Sequence, residues 1–232
     1  MAVVEHRYPD PESLGHALAE RLGRDLGAAV ADRGRASLVV SGGTTPLPLF
    51  RALAGLELPW NRVTVTLADE RWVAPTDPAS NERLVRETLL EGRAAAARFV
   101  GLKTRDRTPE TAVAACEAAL AEISRPFDAV VLGMGSDGHT ASLFPGAPEL
   151  AQGLDPASGR RCVAVHPGGE LPPRMSLTLP ALVDSRSLHL HFTGDAKLEV
   201  YRRALEDGPV EEMPIRGVLR GAGRRLELWW SP

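Results

Sequence analysis

The sequence predicts an α/β fold in which a mostly parallel sheet carries helices on both faces, with a smaller mixed portion in the C-terminal half. Short apolar runs alternate with segments of helical periodicity, as in sheets built from strand–helix–strand units. Two of these runs end in glycine-rich polar turns, and ligands bind beyond the carboxyl ends of such strands. With 232 residues, 44% of them hydrophobic, the chain has the size and apolar content of one large domain. We therefore expect a single Rossmann-like domain over residues 1–232.

The first half of the chain predicts two helices and two strands in alternation. Asp10 and Pro11 are typical of a helix start, and large apolar residues then recur every four positions. Two apolar runs, the second rich in β-branched residues, predict strands. The predicted elements are a helix over residues 11–30, a strand at Ala36–Val40, a helix over residues 47–53 and a strand at residues 62–67.

The second half predicts crossover helices and a crowded group of strands. Helix-start residues at positions 80–81 and 108–109 each precede an apolar helical face. Strands are expected at Phe127–Leu132 and at residues 161–165, 175–179, 188–192 and 225–230. The glycine- and proline-rich residues 167–173 predict an exposed loop. Because these strands follow one another closely, we expect the mixed portion of the sheet here.

The charge pattern narrows the class of partner. The net charge is -3, the isoelectric point is near 6.1, and Lys and Arg are scattered along the chain, so we expect neither nucleic acid nor an anionic membrane as a partner. The N-terminus has no signal-peptide core, and no apolar run approaches the roughly 18 residues that span a bilayer. We expect a cytoplasmic protein, a monomer or weak homodimer, that binds a small molecule.

The two cysteines do not predict a disulfide scaffold or a metal site. Cys116 and Cys162 are too few for a disulfide framework and lack the paired spacing of a zinc site. We expect both to be free thiols, and we expect no metal.

Residues 133–145 are the most informative segment of the chain. They follow the apolar run Phe127–Leu132 and place three glycines around Asp137 and His139. Glycine permits backbone conformations and close approaches that a Cβ blocks. A Gly-x-Gly turn that stands alone is more often structural than functional, and the same is true of a lone histidine. Their combination at a strand end predicts a site for acid–base chemistry.

This segment, Gly-Met-Gly-Ser-Asp-Gly-His-Thr-Ala-Ser-Leu-Phe-Pro, resembles the glucosamine-6-phosphate isomerase/6-phosphogluconolactonase family, in particular its lactone-hydrolysing branch. Other segments match the same family in order, so the likeness spans nearly the whole chain. The resemblance implies an enzyme, a carboxylic ester hydrolase of the oxidative pentose phosphate pathway. Its expected reaction is hydrolysis of 6-phospho-D-glucono-1,5-lactone to 6-phospho-D-gluconate, with no cofactor.

A second glycine turn predicts a phosphate site. Residues 41–46, Ser-Gly-Gly-Thr-Thr-Pro, lie between a predicted strand and a predicted helix start, where backbone N–H groups and the helix dipole favour an anion. The Walker spacing is absent, and a Gly-Gly pair alone is often only a turn. The resemblance implies that Ser41, Gly42, Gly43 and Thr44 hold the sugar phosphate.

Three cations are candidates to complete the phosphate site. Arg71 follows a strand, Arg174 precedes one, and Lys197 falls in the first turn of a predicted helix. A lysine near a helix N-terminus opposes the helix dipole, so its position suggests a bound anion. A single Arg or Lys is usually a solvated surface charge, but all three match positions of the family.

His139 can act in both proton transfers of lactone hydrolysis. A histidine titrates near pH 6.5, so neutral His139 can take a proton from the attacking water and return it to the ring oxygen. Asp137 and Asp69 are alternative candidates to orient the imidazole or hold a substrate hydroxyl, and Asp137 is equally suited to bonding the backbone of its own turn. Gly135 is expected to lie against the substrate.

Two other functions are weighed against lactone hydrolysis. The isomerase/deaminase branch carries a glutamate five residues after the histidine, where this chain has Phe144, which cannot carry the ring-opening proton. A sugar-phosphate sensor would keep the glycine loop and the cations but lose the histidine, and His139 is present. The sequence does not predict a serine hydrolase, because Ser142 lacks the Gly-x-Ser-x-Gly elbow and is better explained as a turn or helix-start serine.

Overall fold

A seven-stranded sheet forms the centre of the fold, and every strand pairing within it among the described residues is parallel. The computed structural model describes residues 3–223 and 226–232 of the chain. The strands are β1 (Val4–Arg7), β2 (Ala36–Val40), β3 (Val63–Leu67), β4 (Asp69–Arg71), β5 (Arg98–Val100), β6 (Phe127–Leu132), β7 (Cys162–Val165), β8 (Arg174–Leu177), β9 (Ser185–Thr193) and β10 (Leu226–Ser231). The helices are α1 (Pro11–Arg33), α2 (Leu47–Ala54), α3 (Asn81–Thr88), α4 (Pro109–Ala121), α5 (Leu150–Leu154), α6 (Leu179–Val183), α7 (Asp195–Leu205) and α8 (Ile215–Ala222).

The strand order of the large sheet places a crevice between β2 and β6. The order is β1-β10-β9-β6-β2-β3-β5, so the chain runs from β2 towards β3 and, later, from β6 towards β9 on the opposite side. Loops that leave neighbouring parallel strands in opposite directions open a crevice at the carboxyl ends of those strands. Both β2 and β6 are buried along their whole length. They form a rigid base under the two glycine turns.

Helices cover both faces of this sheet. Ser187 of β9 donates a hydrogen bond to Asp25 of α1, whereas Phe192 of the same strand packs against Tyr201 of α7. Residues an odd number of positions apart in a strand point to opposite faces, so α1 and α7 lie on opposite sides. The core between these layers includes Leu14, Leu18, Leu22 and Leu26 of α1, each fully buried.

A small antiparallel sheet, ordered β4-β8-β7, lies beside the large one. The predicted mixed portion is therefore confirmed, but its membership differs from the prediction. Strands β9 and β10 belong to the large sheet, and β4 comes from the first half of the chain. The carboxyl end of β3 continues directly into β4, which pairs with β8 so that Arg71 lies opposite Arg174.

Most predicted elements are confirmed, with shifts at their ends. The helix that starts at Pro11 is capped by Asp10, whose side chain accepts from the Ser13 N–H. Strand β8 ends two residues earlier than predicted, because Thr178 caps α6. Strands β1, β4 and β5 were not predicted. The predicted strand at residues 225–230 corresponds to β10, and Arg225 lies outside the described residues.

The prediction of one domain over residues 1–232 stays a prediction. Cys116 and Cys162 are both free, as expected, and both are buried. Among the residues that the structure describes, no helix is long and apolar enough to cross a membrane.

Candidate active site

A cavity of about 530 Å³ opens at the carboxyl ends of β2 and β6. All of the predicted site residues line it except Asp137, whose carboxylate contacts Nδ1 of His139. Its lining side chains and turns are Ser41, Gly42, Gly43, Thr44, Thr45, Pro46, Asp69, Arg71, Asn81, Val131, Leu132, Gly133, Met134, Gly135, Ser136, His139, Ala141, Phe144, Leu171, Arg174, His191 and Lys197. The fold thus gathers residues from both halves of the chain into one site.

The glycine turn after β2 is tied to the turn after β6. The Ser41 hydroxyl donates to the Val131 carbonyl over 3.2 Å, and the Gly133 N–H donates to the Ser41 hydroxyl oxygen over 3.3 Å. A Cβ on Gly42 would fall 1.9 Å from Oδ1 of Asn81, so only glycine fits there. Gly43 has a φ of 93°, which favours glycine. The turn leads into α2, whose N-terminus favours an anion.

Two arginines meet across the small sheet at the wall of the cavity. Arg71 and Arg174 are directly opposite each other in the β4–β8 register, and like charges in that position repel. Arg71 donates to the Ala79 carbonyl over 2.7 Å and to Oδ1 of Asn81 over 2.8 Å. Arg174 is 8% exposed, and burial lowers the pKa of its guanidinium. The Nε atoms of both arginines are buried without a partner in the described residues. The pair therefore favours an anionic ligand.

Lys197 faces the same cavity from the first turn of α7. It is half-buried, and burial lowers the pKa of its ammonium group. A buried cation near a helix N-terminus is unfavourable without an anion beside it. Lys197 and the two arginines thus give the cavity a strongly positive wall.

Asp69 is held by hydrogen bonds away from the imidazole. Its carboxylate accepts from the Ser142 hydroxyl and from Nδ2 of Asn81, the latter over 3.3 Å. Ser142 is fully buried in a turn, which agrees with its interpretation as a turn serine. In the described part of the chain, no hydrogen bond joins Asp69 to His139.

His139 is paired with Asp137 and keeps one nitrogen free. Nδ1 of His139 lies 2.6 Å from Oδ1 of Asp137, which also accepts from the His139 backbone N–H over 3.1 Å. An ionised carboxylate only accepts hydrogen bonds, so Nδ1 carries the proton and Nε2 has the lone pair. No described residue bonds Nε2. The arrangement presents a proton acceptor to the cavity.

The turn that carries His139 is tight and partly strained. A Cβ on Gly135 would lie 2.1 Å from Nδ1 of His139, so the imidazole can pack here only against glycine. Gly138 has a φ of 81°. Ala141 has a φ of 49°, which costs a non-glycine residue roughly 1 kcal/mol or more. Such strain is typical of functional turns.

Asn81, Phe144 and His191 also line the cavity and were not predicted as site residues. Asn81 was interpreted only as part of a helix start, but it also holds Arg71 and Asp69. Phe144 packs against the imidazole with ring centroids 4.3 Å apart. His191 lies near the end of β9, so the rule that ligands bind beyond parallel strands contained a signal for it. For Asn81 the sequence carries no comparable signal, because its role depends on the packing of α3 against β4.

Among residues 3–223 and 226–232, no group of three or more His, Cys, Asp and Glu side chains is placed to hold a metal ion. The predicted roles of the individual site residues stay predictions, although the structure brings the residues themselves together.

Comparisons with known proteins show the family of this chain. The family model described as glucosamine-6-phosphate isomerases/6-phosphogluconolactonase matches residues 9–230. The 6-phosphogluconolactonase of Rhizobium meliloti is 46% identical over 232 residues, covering 100% of both chains. That of Mesorhizobium japonicum is 46% identical over 225 residues, covering 97% of this chain and 94% of the relative. A crystal structure of a 6-phosphogluconolactonase from Shewanella baltica superposes with a TM-score of 0.96 at 45% identity, covering 100% of this chain and 98% of the other. The chain therefore belongs to the glucosamine-6-phosphate isomerase/6-phosphogluconolactonase family.

Proposed function

We propose that this chain is an enzyme that hydrolyses 6-phospho-D-glucono-1,5-lactone to 6-phospho-D-gluconate in the oxidative pentose phosphate pathway. The observation that carries the proposal is that His139, whose Nε2 is bonded by no described residue, lines the same cavity as three cations, Arg71, Arg174 and Lys197. An ester carbonyl and a phosphate at opposite ends of one small molecule fit these two features. The relatives at 46% identity carry the name of this activity.

The first step is attack of water on the lactone carbonyl carbon. Nε2 of His139 accepts a proton from the water as its oxygen bonds to carbon, and Asp137 stabilises the imidazolium through Nδ1–H. In the second step the bond between the carbonyl carbon and the ring oxygen breaks. The ring oxygen takes the proton from Nε2 and becomes a hydroxyl group, while the acid product loses its own proton to water.

Phosphate binding positions the carbonyl for this attack. The turn Ser41–Thr44, with Arg71, Arg174 and Lys197, holds the phosphate, so the lactone carbonyl is fixed relative to the imidazole. Gly135 leaves room for the imidazole itself, since a Cβ there would lie 2.1 Å from Nδ1 of His139. Asp137 orients His139 because it is the carboxylate that contacts the ring. The carboxylate of Asp69 accepts hydrogen bonds from Ser142 and Asn81. We assign to Asp69 the role of binding a substrate hydroxyl at the cavity wall.

The contact between Phe144 and His139 argues against the isomerase/deaminase alternative. Phe144 packs 4.3 Å from the imidazole centroid, in the position where that branch carries a glutamate. An aromatic ring offers no group for ring-opening proton transfer. A non-catalytic sensor has no need of a histidine whose free nitrogen faces the ligand.

We also propose a cytoplasmic location and a monomer or weak homodimer whose only ligands are small phosphosugars. Two buried free thiols support a reducing compartment. The weakly negative net charge of -3 supports the absence of nucleic-acid or membrane partners. Sedimentation at micromolar concentration measures the oligomeric state, and a stable tetramer would contradict it.

The function is tested by adding the purified protein to freshly made 6-phosphoglucono-1,5-lactone in a chelator and following acid release in a pH-stat. We expect release far above the spontaneous rate, and no fructose 6-phosphate or ammonia from glucosamine 6-phosphate. Release at the spontaneous rate, or activity that depends on a divalent ion, would overturn the proposal.

A further inference from the structure

His191 is a buried polar side chain that the proposed reaction has not used. It lies on β9, two residues before the strand ends, and lines the cavity. Its exposure is only 3%. No described residue forms a hydrogen bond with its ring, whereas the rings of His139 and His189 are both bonded. A buried polar group without a protein partner is costly unless a ligand or water satisfies it.

The surroundings of His191 keep its ring neutral. Burial, followed by the charge of Lys197 and the neighbouring His189, lowers the pKa of His191 to about 4. A neutral imidazole has one N–H donor and one lone pair. Since Lys197 lies close by and both face the cavity, an acceptor that satisfies the N–H of His191 would also lie near a positive charge. An anion meets both requirements.

The strand register places His191 at the phosphate end of the cavity. Leu132 of β6 is paired with Leu190 of β9, so the next residues of the two strands, Gly133 and His191, are neighbours. The N–H of Gly133 is bonded to Ser41 of the glycine turn. Gly133 has no side chain, and a Cβ built on it would meet open space. The imidazole and the glycine turn therefore lie on either side of the same open position.

We propose that His191 is a further phosphate-binding residue, which donates its N–H to a phosphate oxygen beside Lys197 and favours phosphorylated lactones over unphosphorylated ones. The inference rests on the proposed function for the identity of the substrate. The hydrogen bond from the His191 imidazole to a phosphate group can, however, be measured without turnover. Because it is an uncharged donor, His191 adds a directional hydrogen bond without adding a fourth positive charge beside Lys197, Arg71 and Arg174.

The test uses His191→Leu, which removes the N–H at similar volume, and His191→Gln, which restores a donor. Calorimetry with inorganic phosphate and with 6-phosphogluconate gives the affinities. We expect His191→Leu to raise both Kd values about 10-fold or more, the loss typical of a hydrogen bond to a charged group, and His191→Gln to recover most of it. The exposed His16 on α1 supplies the matched control His16→Leu, which should bind as the wild type does.

Kinetics separate this role from a structural one. His191→Leu should raise KM for the phosphorylated lactone and change kcat less, while hydrolysis of unphosphorylated gluconolactone stays within about twofold of the wild type. Equal losses on both lactones, or unchanged phosphate affinity in a folded His191→Leu, would overturn the proposal.

A measurement on the unmodified chain keeps the test independent of folding. Addition of inorganic phosphate should shift the imidazole ¹⁵N resonances of His191, and the absence of any shift at saturating phosphate would overturn the proposal. Turnover by the wild type tests the proposed function, so a chain that binds phosphate through His191 but does not hydrolyse the lactone would contradict only that function.

Discussion

His139 and His189 are each coupled to a carboxylate, yet their surroundings give the two rings different roles. Nδ1 of His139 bonds Asp137 directly, its Nε2 is bonded by no described residue, and the residue lines the cavity. His189, in the middle of β9, is fully buried. Its Nε2 lies 2.6 Å from the Ser187 hydroxyl, which donates over 2.8 Å to Asp25.

The decisive difference is the second nitrogen. Trp229 donates from Nε1 to Nδ1 of His189 over 3.1 Å, so both nitrogens of His189 are committed within the protein. An indole is only a donor, which fixes the direction of the whole chain of bonds from Trp229 to Asp25. The His189 cluster resembles a catalytic triad in composition, but it has no free nitrogen and does not line the cavity. Residue types alone therefore do not identify a base; a lone pair facing a ligand does.

The largest expected effect is on turnover when His139 is replaced. His139→Asn should fold normally and bind 6-phosphogluconate, but lose lactonase activity by roughly 10²- to 10⁴-fold, because the general base is gone. Rates are corrected for spontaneous hydrolysis and compared with a binding titration on the same preparation. Near-wild-type turnover with intact binding would reduce His139 to a structural residue.

Replacing His189 should act on stability instead. His189→Leu leaves the Trp229 N–H and the Ser187 hydroxyl without their buried partner, at a cost of roughly 2 to 4 kcal/mol in the free energy of unfolding. Denaturant unfolding measures the loss, and kcat of the folded fraction should stay near the wild-type value. A His189→Leu variant of normal stability with low kcat would contradict the structural role that the comparison gives His189.

Asp137→Asn should lower turnover by a smaller factor. The amide group can turn its NH₂ towards Nδ1 and so favour the tautomer that has its proton on Nε2. The Asp137 side chain is 49% exposed, so water competes with this contact, and we expect a loss of roughly 10- to 100-fold rather than the larger loss of a buried aspartate. Product affinity is measured beside kcat as the control. Unchanged kcat would show that Asp137 does not orient the imidazole.

The smallest effect is the acid dependence of stability through Asp25. Burial raises the pKa of this carboxyl, but its interactions with His189 and Ser187 and the charge of Arg21 outweigh it, so the pKa lies below the reference value of 3.8. Asp25 therefore stabilises the fold fully above pH 3.8, and this contribution is lost as the pH falls through the lower folded value. Unfolding free energy plotted against pH should decline less steeply in acid for Asp25→Asn. Equal slopes would show that Asp25 has no such role.

The sequence predicted the parallel sheet and the positions of most site residues because these depend on local signals. Apolar runs, capping residues and glycine turns at strand ends are readable without tertiary contacts, as at β2 and β6. The choice between Asp137 and Asp69 was not readable, since it depends on which carboxylate the imidazole meets in three dimensions.

Long-range pairings account for the rest. Strand β4 is only three residues long, Asp69–Arg71, and exists because β8 pairs with it from about a hundred positions away. That pairing brings Arg71 against Arg174, which no local pattern encodes. His189 and His191 share a strand and a face, yet their different roles arise from Trp229 beside one and the cavity beside the other.

The most direct test of the comparison is the tautomer of each ring, read from imidazole ¹⁵N chemical shifts at pH 8. We predict that His139 carries its proton on Nδ1 and that only its Nε2 resonance shifts on addition of 6-phosphogluconate, while His189 carries its proton on Nε2 and does not respond. Finding the proton on Nε2 of His139, or an equal response from His189, would contradict the account.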